Sequence, residues 1–294
     1  MKLMLMLLVA ASISTFTSCN KEEDPKTPAE IVSTMERIND GITFVQASYS
    51  DGTRLYFELL SDNTAAVTSV EAYYNGTTPP VNYCPKNAVI PSEISHNGNT
   101  YTVVGIQPRA FFLCYNLTTI KLPNTVSYLG SEAFCGPHLE SFDFHEGITQ
   151  IGDGVFSGCD FTSIQLNEAI TYIPKNAFMQ CEYLTSVTLP RVDTIREDGF
   201  SLCEKLTSIE LPATTKALYS GAFANCTSLK TVTCQAINPP ALVVPFYNHY
   251  TSTNVFGGCP IEEIRVPEGS VEAYKTAEMW SLYTDKIIGI TSKH

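Results

Sequence analysis

Leu206-Thr207-Ser208-Ile209-Glu210-Leu211-Pro212, followed by Ala222-Phe223-Ala224-Asn225-Cys226, is the stretch that decides how this chain folds. Ile209-Glu210-Leu211 alternates apolar and polar, the pattern of a short half-buried strand, and Pro212 ends it. The same arrangement recurs along the chain. Phe111, Phe134, Phe156, Phe178, Phe200, Phe223 and Phe256 are spaced by 23, 22, 22, 22, 23 and 33 residues. A small residue precedes each of them (Ala110, Ala133, Val155, Ala177, Gly199, Ala222, Val255). A cysteine follows closely (Cys114, Cys135, Cys159, Cys181, Cys203, Cys226, Cys259), and then an apolar residue (Leu117, Leu139, Phe161, Leu184, Leu206, Leu229, Ile261). An alternating triplet completes each unit, from Ile120-Lys121-Leu122 and Phe142-Asp143-Phe144 to Ile264-Arg265-Val266. A second short strand is expected after several of them, as at residues 148–151 and 170–173. Self-similarity at a period of 20–50 residues is the mark of a stacked repeat.

The energetics of one unit require the stack. Each unit offers about six apolar side chains to one interior, each contributing roughly 1.5–3 kcal/mol when buried. Ordering the backbone costs about 1–2 kcal/mol per residue. A single unit therefore cannot fold alone, whereas stacked units bury one another's faces and share a parallel ladder.

The pattern Leu-x-x-Ile-x-Leu-Pro, a second strand and Ala-Phe-x-x-Cys resembles the BspA-like leucine-rich repeats, over roughly residues 100–290. Three departures are local. Cys135 follows Phe134 directly, Cys234 stands where Leu is usual, and the last interval is about ten residues longer. The resemblance implies a mainly β, right-handed leucine-rich-repeat solenoid of about seven 22–23-residue units. It also implies adhesion or host interaction, without naming a ligand.

The ends differ from the repeat. Residues 44–49, 54–60 and 65–74 alternate like strands, with turn signals at Asp51-Gly52 and Asn75-Gly76. They are expected to form a β-rich module covering the first rung. After Val266-Pro267, Ser270 is expected to cap a short helix carrying Val271, Tyr274 and Ala277, with Trp280 over the last rung and a final strand at residues 287–290. The expected organisation is a lipoprotein signal peptide at 1–18, a flexible tether at 19–38, a capping module at 39–105, repeats at 106–267 and a C-terminal cap at 268–294.

Residues 3–11 are an apolar run too short to span a bilayer, preceded by Lys2. Phe16-Thr17-Ser18-Cys19 resembles a bacterial lipobox, which makes Cys19 the expected lipidated residue. Asn20-Lys21-Glu22-Glu23-Asp24 resembles the acidic tag that sends some Gram-negative lipoproteins to the outer face of the cell. The expected location is therefore the outer membrane, exposed at the surface, with the membrane touched only through the lipid.

The formal charge of −12 disfavours nucleic acid, whose phosphates call for clustered Lys and Arg. With 44% hydrophobic residues the chain can fill a large core. Ten cysteines in an exported chain invite disulfides. Rungs about 4.8 Å apart bring neighbouring Cα atoms within range, but parallel side chains in register rarely reach the required torsion. A reduced, buried ladder is therefore predicted. No Cys-x-x-Cys or helical His pair suggests a metal, and His96, His138, His145, His249 and His294 are expected in surface turns. Gly152-Asp153-Gly154 is expected to be a turn rather than a phosphate loop. No nucleophile–base set emerges, and no cofactor is expected.

Two regions remain as candidate ligand sites. One is the outward strand ladder Lys121, Asp143, Gln165, Thr188, Glu210, Thr233 and Arg265, which runs beside the hydroxyl-rich ladder from Thr119 to Glu263 and varies freely in chemistry. The other is the non-repeating loop 239–254, whose Phe246, Tyr247 and Tyr250 could anchor a protein, stack on sugar or fold back over the sixth rung. The leading expectation is a non-catalytic surface adhesion module for an extracellular or host protein. The alternative is a carbohydrate-binding accessory lipoprotein.

Overall fold

The computed structural model describes residues 31–69, 84–244 and 254–290. The signal segment with Cys19, the Asn75-Gly76 turn and Phe246, Tyr247, His249 and Tyr250 lie outside the described residues.

An antiparallel meander opens the structure: β1 (Ile31–Asn39), β2 (Ile42–Tyr49), β3 (Arg54–Leu59) and β4 (Thr64–Thr68). Residues 31–38, expected as tether, thus belong to a strand. Asp40 and Gly41 both take positive φ (50° and 81°), the two-residue turn that folds β1 back on β2. His96 fastens the same strand: its Nε2 lies 2.7 Å from Glu36 and its Nδ1 3.1 Å from Thr34. His96 is therefore a buried residue and not part of a surface turn.

β5 (Asn87–Val89), β6 (Glu93–His96) and β7 (Asn99–Ile106) follow, with Asn97-Gly98 turning β6 into β7. β7 pairs in parallel with β4, and on its other side with β9 (Tyr128–Leu129), which pairs with β10 (Gln150–Ile151). The leading module is thus joined to the first rungs by one continuous sheet, a stronger attachment than a lid laid on a core. The strand expected at 148–151 is confined to its last two residues.

Every unit but the second contributes a first strand, and most add a second. The first strands are β8 (Thr119–Lys121), β11 (Ser163–Gln165), β13 (Ser186–Thr188), β15 (Ser208–Leu211), β17 (Thr231–Cys234) and β19 (Glu263–Pro267). The second strands, after β9 and β10, are β12 (Tyr172–Ile173), β14 (Thr194–Ile195), β16 (Ala217–Tyr219) and β18 (Ala241–Val243). Pairing is parallel and one unit apart, as in Ile209 with Val232 and Ile195 with Leu218.

The third side of each unit is the turn around the repeated Phe. In the first six units the residues two before and two after it take positive φ, among them Glu132, Asn176, Asp198 and Leu202. That alternation aims every second N–H at the next unit. Asn176 donates to the Glu197 carbonyl, Phe178 to Gly199 and Gln180 to Ser201, at 2.8–2.9 Å.

Inside, the seven Phe rings form one column with centroids 5.1–5.7 Å apart and planes within 14°. Trp280 and Tyr283 meet its last ring. Buried cysteines run beside the column, each thiol donating to the carbonyl of the Phe one unit earlier: Cys159 to Phe134 (3.2 Å), Cys181 to Phe156 (3.3 Å), Cys203 to Phe178 (3.3 Å) and Cys226 to Phe200 (3.1 Å).

Two expectations about cysteine need correction. Cys84 and Cys114 form a disulfide. The torsional objection concerned in-register neighbours, whereas Cys84 approaches from the chain ahead of β5, free of that restriction. Cys135 stands off the ladder, because Pro137 occupies the place three residues after Phe134.

The second unit also departs from the expected strand. Phe142-Asp143-Phe144 is not in a strand. Its two rings take places that Ile or Val and Leu fill elsewhere, and pack against Phe156 at 4.7 and 5.5 Å. Their bulk holds this backbone away from its neighbours.

At the far end α1 (Val271–Thr276) buries Tyr274, whose hydroxyl donates to the Ala236 carbonyl at 2.7 Å. Trp280 Nε1 donates to Pro240 at 2.7 Å, and β20 (Ile287–Ile290) pairs with β19. Ser270 precedes α1 but makes no side-chain cap bond. Its side chain is buried instead.

Candidate ligand-binding face

The side chains on the first-strand face divide by parity. Ile164, Ile209, Val232 and Ile264 point into the core, which leaves their neighbours outward. Lys121, Asp143, Gln165, Thr188, Glu210 and Arg265 are exposed and Thr233 half-buried. Register places Gln165 beside Thr188, and Glu210, Thr233 and Arg265 in one row.

Among the described residues, the structure gathers the middle of this ladder around a groove. Asp143, Gln165 and Thr188 line a groove of about 670 Å³ with Ser141, Glu146 and Glu168 at its polar rim. Phe142, Phe144, Leu166 and Pro190 are its apolar wall. A groove of that size falls within the range that accommodates a small ligand or a few residues of chain. Lys121, Glu210, Thr233 and Arg265 lie outside it. Glu210 accepts a bond from Gln235 at 2.9 Å, and Arg265 is held by Glu263 at 2.7 Å.

Asn167 fixes one side of the groove, at the position where most units end their strand with Pro. Its amide donates to the His145 and Ile148 carbonyls at 2.7 and 2.9 Å. Its oxygen accepts from the Ala169 and Ile170 amides at 2.9 and 3.1 Å. The side chain is saturated, so it positions the loops and does not present itself to a ligand.

Glu146 and Glu168 were not singled out from sequence. The available signal was their shared phase, each two residues past the inward residue that closes its triplet, Phe144 and Leu166.

The thiols offer little reactivity. Burial pushes Cys159 and Cys181 well above the ordinary thiol range, and burial with Glu132 nearby raises half-buried Cys135. Nucleophilic attack needs the thiolate, so these groups suit packing and weak hydrogen bonding. Gly152-Asp153-Gly154 forms the expected turn, and a Cβ on Gly152 would meet the Ser131 backbone nitrogen at 2.4 Å. Among the described residues no three His, Cys, Asp or Glu side chains could hold a metal ion, and no helix is long and apolar enough to cross a membrane.

Comparison with known proteins follows this geometry. A cell surface protein of Faecalibacterium prausnitzii is 20% identical, over 81% of this chain and 72% of its own, with a TM-score of 0.48. A leucine-rich repeat protein of Bacteroides ovatus is 20% identical over 89% and 76%, with a TM-score of 0.45. The pneumococcal vaccine antigen PcpA is 18% identical over 82% of this chain and 66% of its own, with a TM-score of 0.51, a likeness of fold. No curated protein sequence matches this chain. The BspA type leucine rich repeat region matches in six copies across residues 104–230 and 149–277. That span exceeds half of the chain, and it carries the Phe column, the thiol ladder and both strand ladders, so the protein belongs to the BspA type leucine rich repeat family.

Proposed function

We propose that this chain is a non-catalytic binding module, displayed on the cell surface through a lipid on Cys19, that recognises an extracellular or host protein with its first-strand face. The observation that carries the proposal is the groove around Asp143, Gln165 and Thr188. It is a concave, mixed polar and apolar surface on a scaffold whose repeated residues are all consumed by packing. Rigid scaffolds of this kind bind through the positions that stacking leaves free. No catalytic family is indicated by the repeat, and the thiols are poorly placed for nucleophilic work.

The test is binding of the purified full chain to arrays of extracellular proteins and glycans, with Tyr247→Ala and Tyr250→Ala beside it. Protein capture unaffected by those two variants supports the proposal. Glycan capture lost in both would transfer the function to the loop. Surface display is measured separately by adding protease to intact cells. Survival of the chain there, or unchanged membrane association of Cys19→Ala, would refute the anchored, outward-facing arrangement.

A further inference from the structure

The groove has two properties that stacking does not require. Asp143, Glu146 and Glu168 converge on it, and among the described residues none of them makes an ion pair. Surface carboxylates elsewhere commonly do: Glu132 with Arg109 at 2.6 Å, Asp160 with His138 at 2.7 Å and Glu262 with Lys230 at 2.8 Å. No Lys or Arg lines the groove. The second property concerns the main chain. Among the described residues, no backbone N–H or C=O of residues 141–144 has a hydrogen-bond partner, although the first strands of the adjoining units, β8 and β11, are paired with β5 and β13.

Open main-chain donors and acceptors are what an extended segment pairs with when it docks on a sheet. The unpaired carboxylates set the charge such a segment carries. Phe142, Phe144, Leu166 and Pro190 give the methylene stem of an Arg or Lys a surface to lie on while its head reaches a carboxylate. The acidic groups do not gather tightly enough to hold one metal ion, so their charge is spread along the groove.

We propose that this groove takes an extended, arginine- or lysine-bearing segment of a partner protein. The proposal rests on the binding-module function above and names the chemistry of its partner.

The probe is a fluorescein-labelled nonapeptide of alternating arginine and serine, read by anisotropy against the full chain at roughly physiological salt. The same peptide with glutamate for arginine is the counter-probe. The variant D143N/E146Q/E168Q removes the groove charges. The control E182Q/E204Q removes two exposed carboxylates outside it, because a chain of formal charge −12 attracts any polycation to some degree. The expected result is binding of the basic peptide alone, weakened tenfold or more in the triple variant and less than twofold in the control. The urea midpoint of the triple variant is expected to be unchanged, which separates lost recognition from lost folding. Equal weakening in both variants, or none in either, overturns the proposal. Array glycans held by the wild type and lost in the triple variant, with the peptide silent, would assign the groove to sugar and also overturn it. Protein capture on the array without peptide binding overturns the basic segment and leaves the binding module standing. A blank array refutes both.

Discussion

Phe178→Ala tests the stacking argument at its centre. Phe178 is fully buried, with Phe156 at 5.6 Å on one side and Phe200 at 5.1 Å on the other. A buried Phe covers about 150–250 Å². At roughly 25 cal/mol per Å² that is about 4–6 kcal/mol, and the methyl that alanine retains returns about 0.8. The expected loss is about 3–5 kcal/mol, the usual cost of Phe→Ala in a core. Total stabilities run about 5–15 kcal/mol, so this is about a fifth or more of the fold. With a urea m-value near 3 kcal/mol/M, the midpoint should drop by about 1.3 M. Tyr172→Ala, on an exposed residue one second strand away, should stay within about 0.5 kcal/mol. Hydrogen exchange adds a spatial reading. The amides of Phe156, Phe178 and Gln180, which bridge neighbouring units, should open before those near Trp280. A midpoint shift under about 0.3 M, or uniform exchange along the chain, would contradict a column whose rungs support one another locally.

Other consequences follow from single features. Reducing Cys84–Cys114, which spans 30 residues, should lower stability by up to about 3.6 kcal/mol on chain-entropy grounds, read as a drop in urea midpoint with dithiothreitol. Gln180 holds φ at 61°, a left-handed conformation that costs a non-glycine residue about 1–2 kcal/mol, and its side chain is exposed, so Gln180→Gly should gain roughly 0.5–1 kcal/mol after glycine's larger unfolded entropy is counted. Gly152→Ala should lose stability instead, since its new Cβ would press on the Ser131 backbone; equal midpoints for the two variants would refute the assignment. Burial raises the thiols of Cys159 and Cys181 in the folded chain above their unfolded value near 8.5. The stability they carry is therefore complete below that value and is lost as pH rises past it. A urea midpoint that climbs between pH 9 and about 11 would contradict this sign.

The column and the ladders were legible because a stack forces the same residue into the same place in every unit. Phe111 to Phe256 could be read as core from spacing alone, and the outward ladder followed from strand parity. What escaped depends on single contacts that no period announces. Cys84 lies outside the repeat, and only the folded path of the chain ahead of β5 brings it to Cys114. Asp40-Gly41 and Asn97-Gly98 were visible turn signals that repetition overshadowed, and the first of them converts the expected tether into β1. The groove escaped for a different reason. It exists because Phe142 and Phe144 keep their backbone out of the ladder, a consequence of ring volume that hydrophobic alternation does not record.

Unit two concentrates departures that would be costly if scattered. In a solenoid each repeated position is touched from both sides, so one substitution disturbs two interfaces. Here Pro137 replaces a ladder cysteine, two phenylalanines replace aliphatic residues, and Asn167 in the next unit replaces the closing proline. These changes compensate one another. A thiol at position 137 would donate to the Phe111 carbonyl, which keeps the Cys114 amide as a partner at 3.2 Å. The paired strand lost at 142–144 is offset by the Asn167 side chain, which makes two hydrogen bonds to the loop of unit two and two more within its own loop. Each such bond contributes on the order of 1 kcal/mol, comparable to the short ladder it stands in for. The interruption is therefore supported by its surroundings rather than tolerated as a flaw, and what it opens is the one described groove that unpaired carboxylates and unpaired main chain share. Asn167→Ala gives this a direct check. It should cost about 2–3 kcal/mol, more than Pro212→Ala at the corresponding place in a regular unit, and equal costs would mean that Asn167 does not hold the groove open.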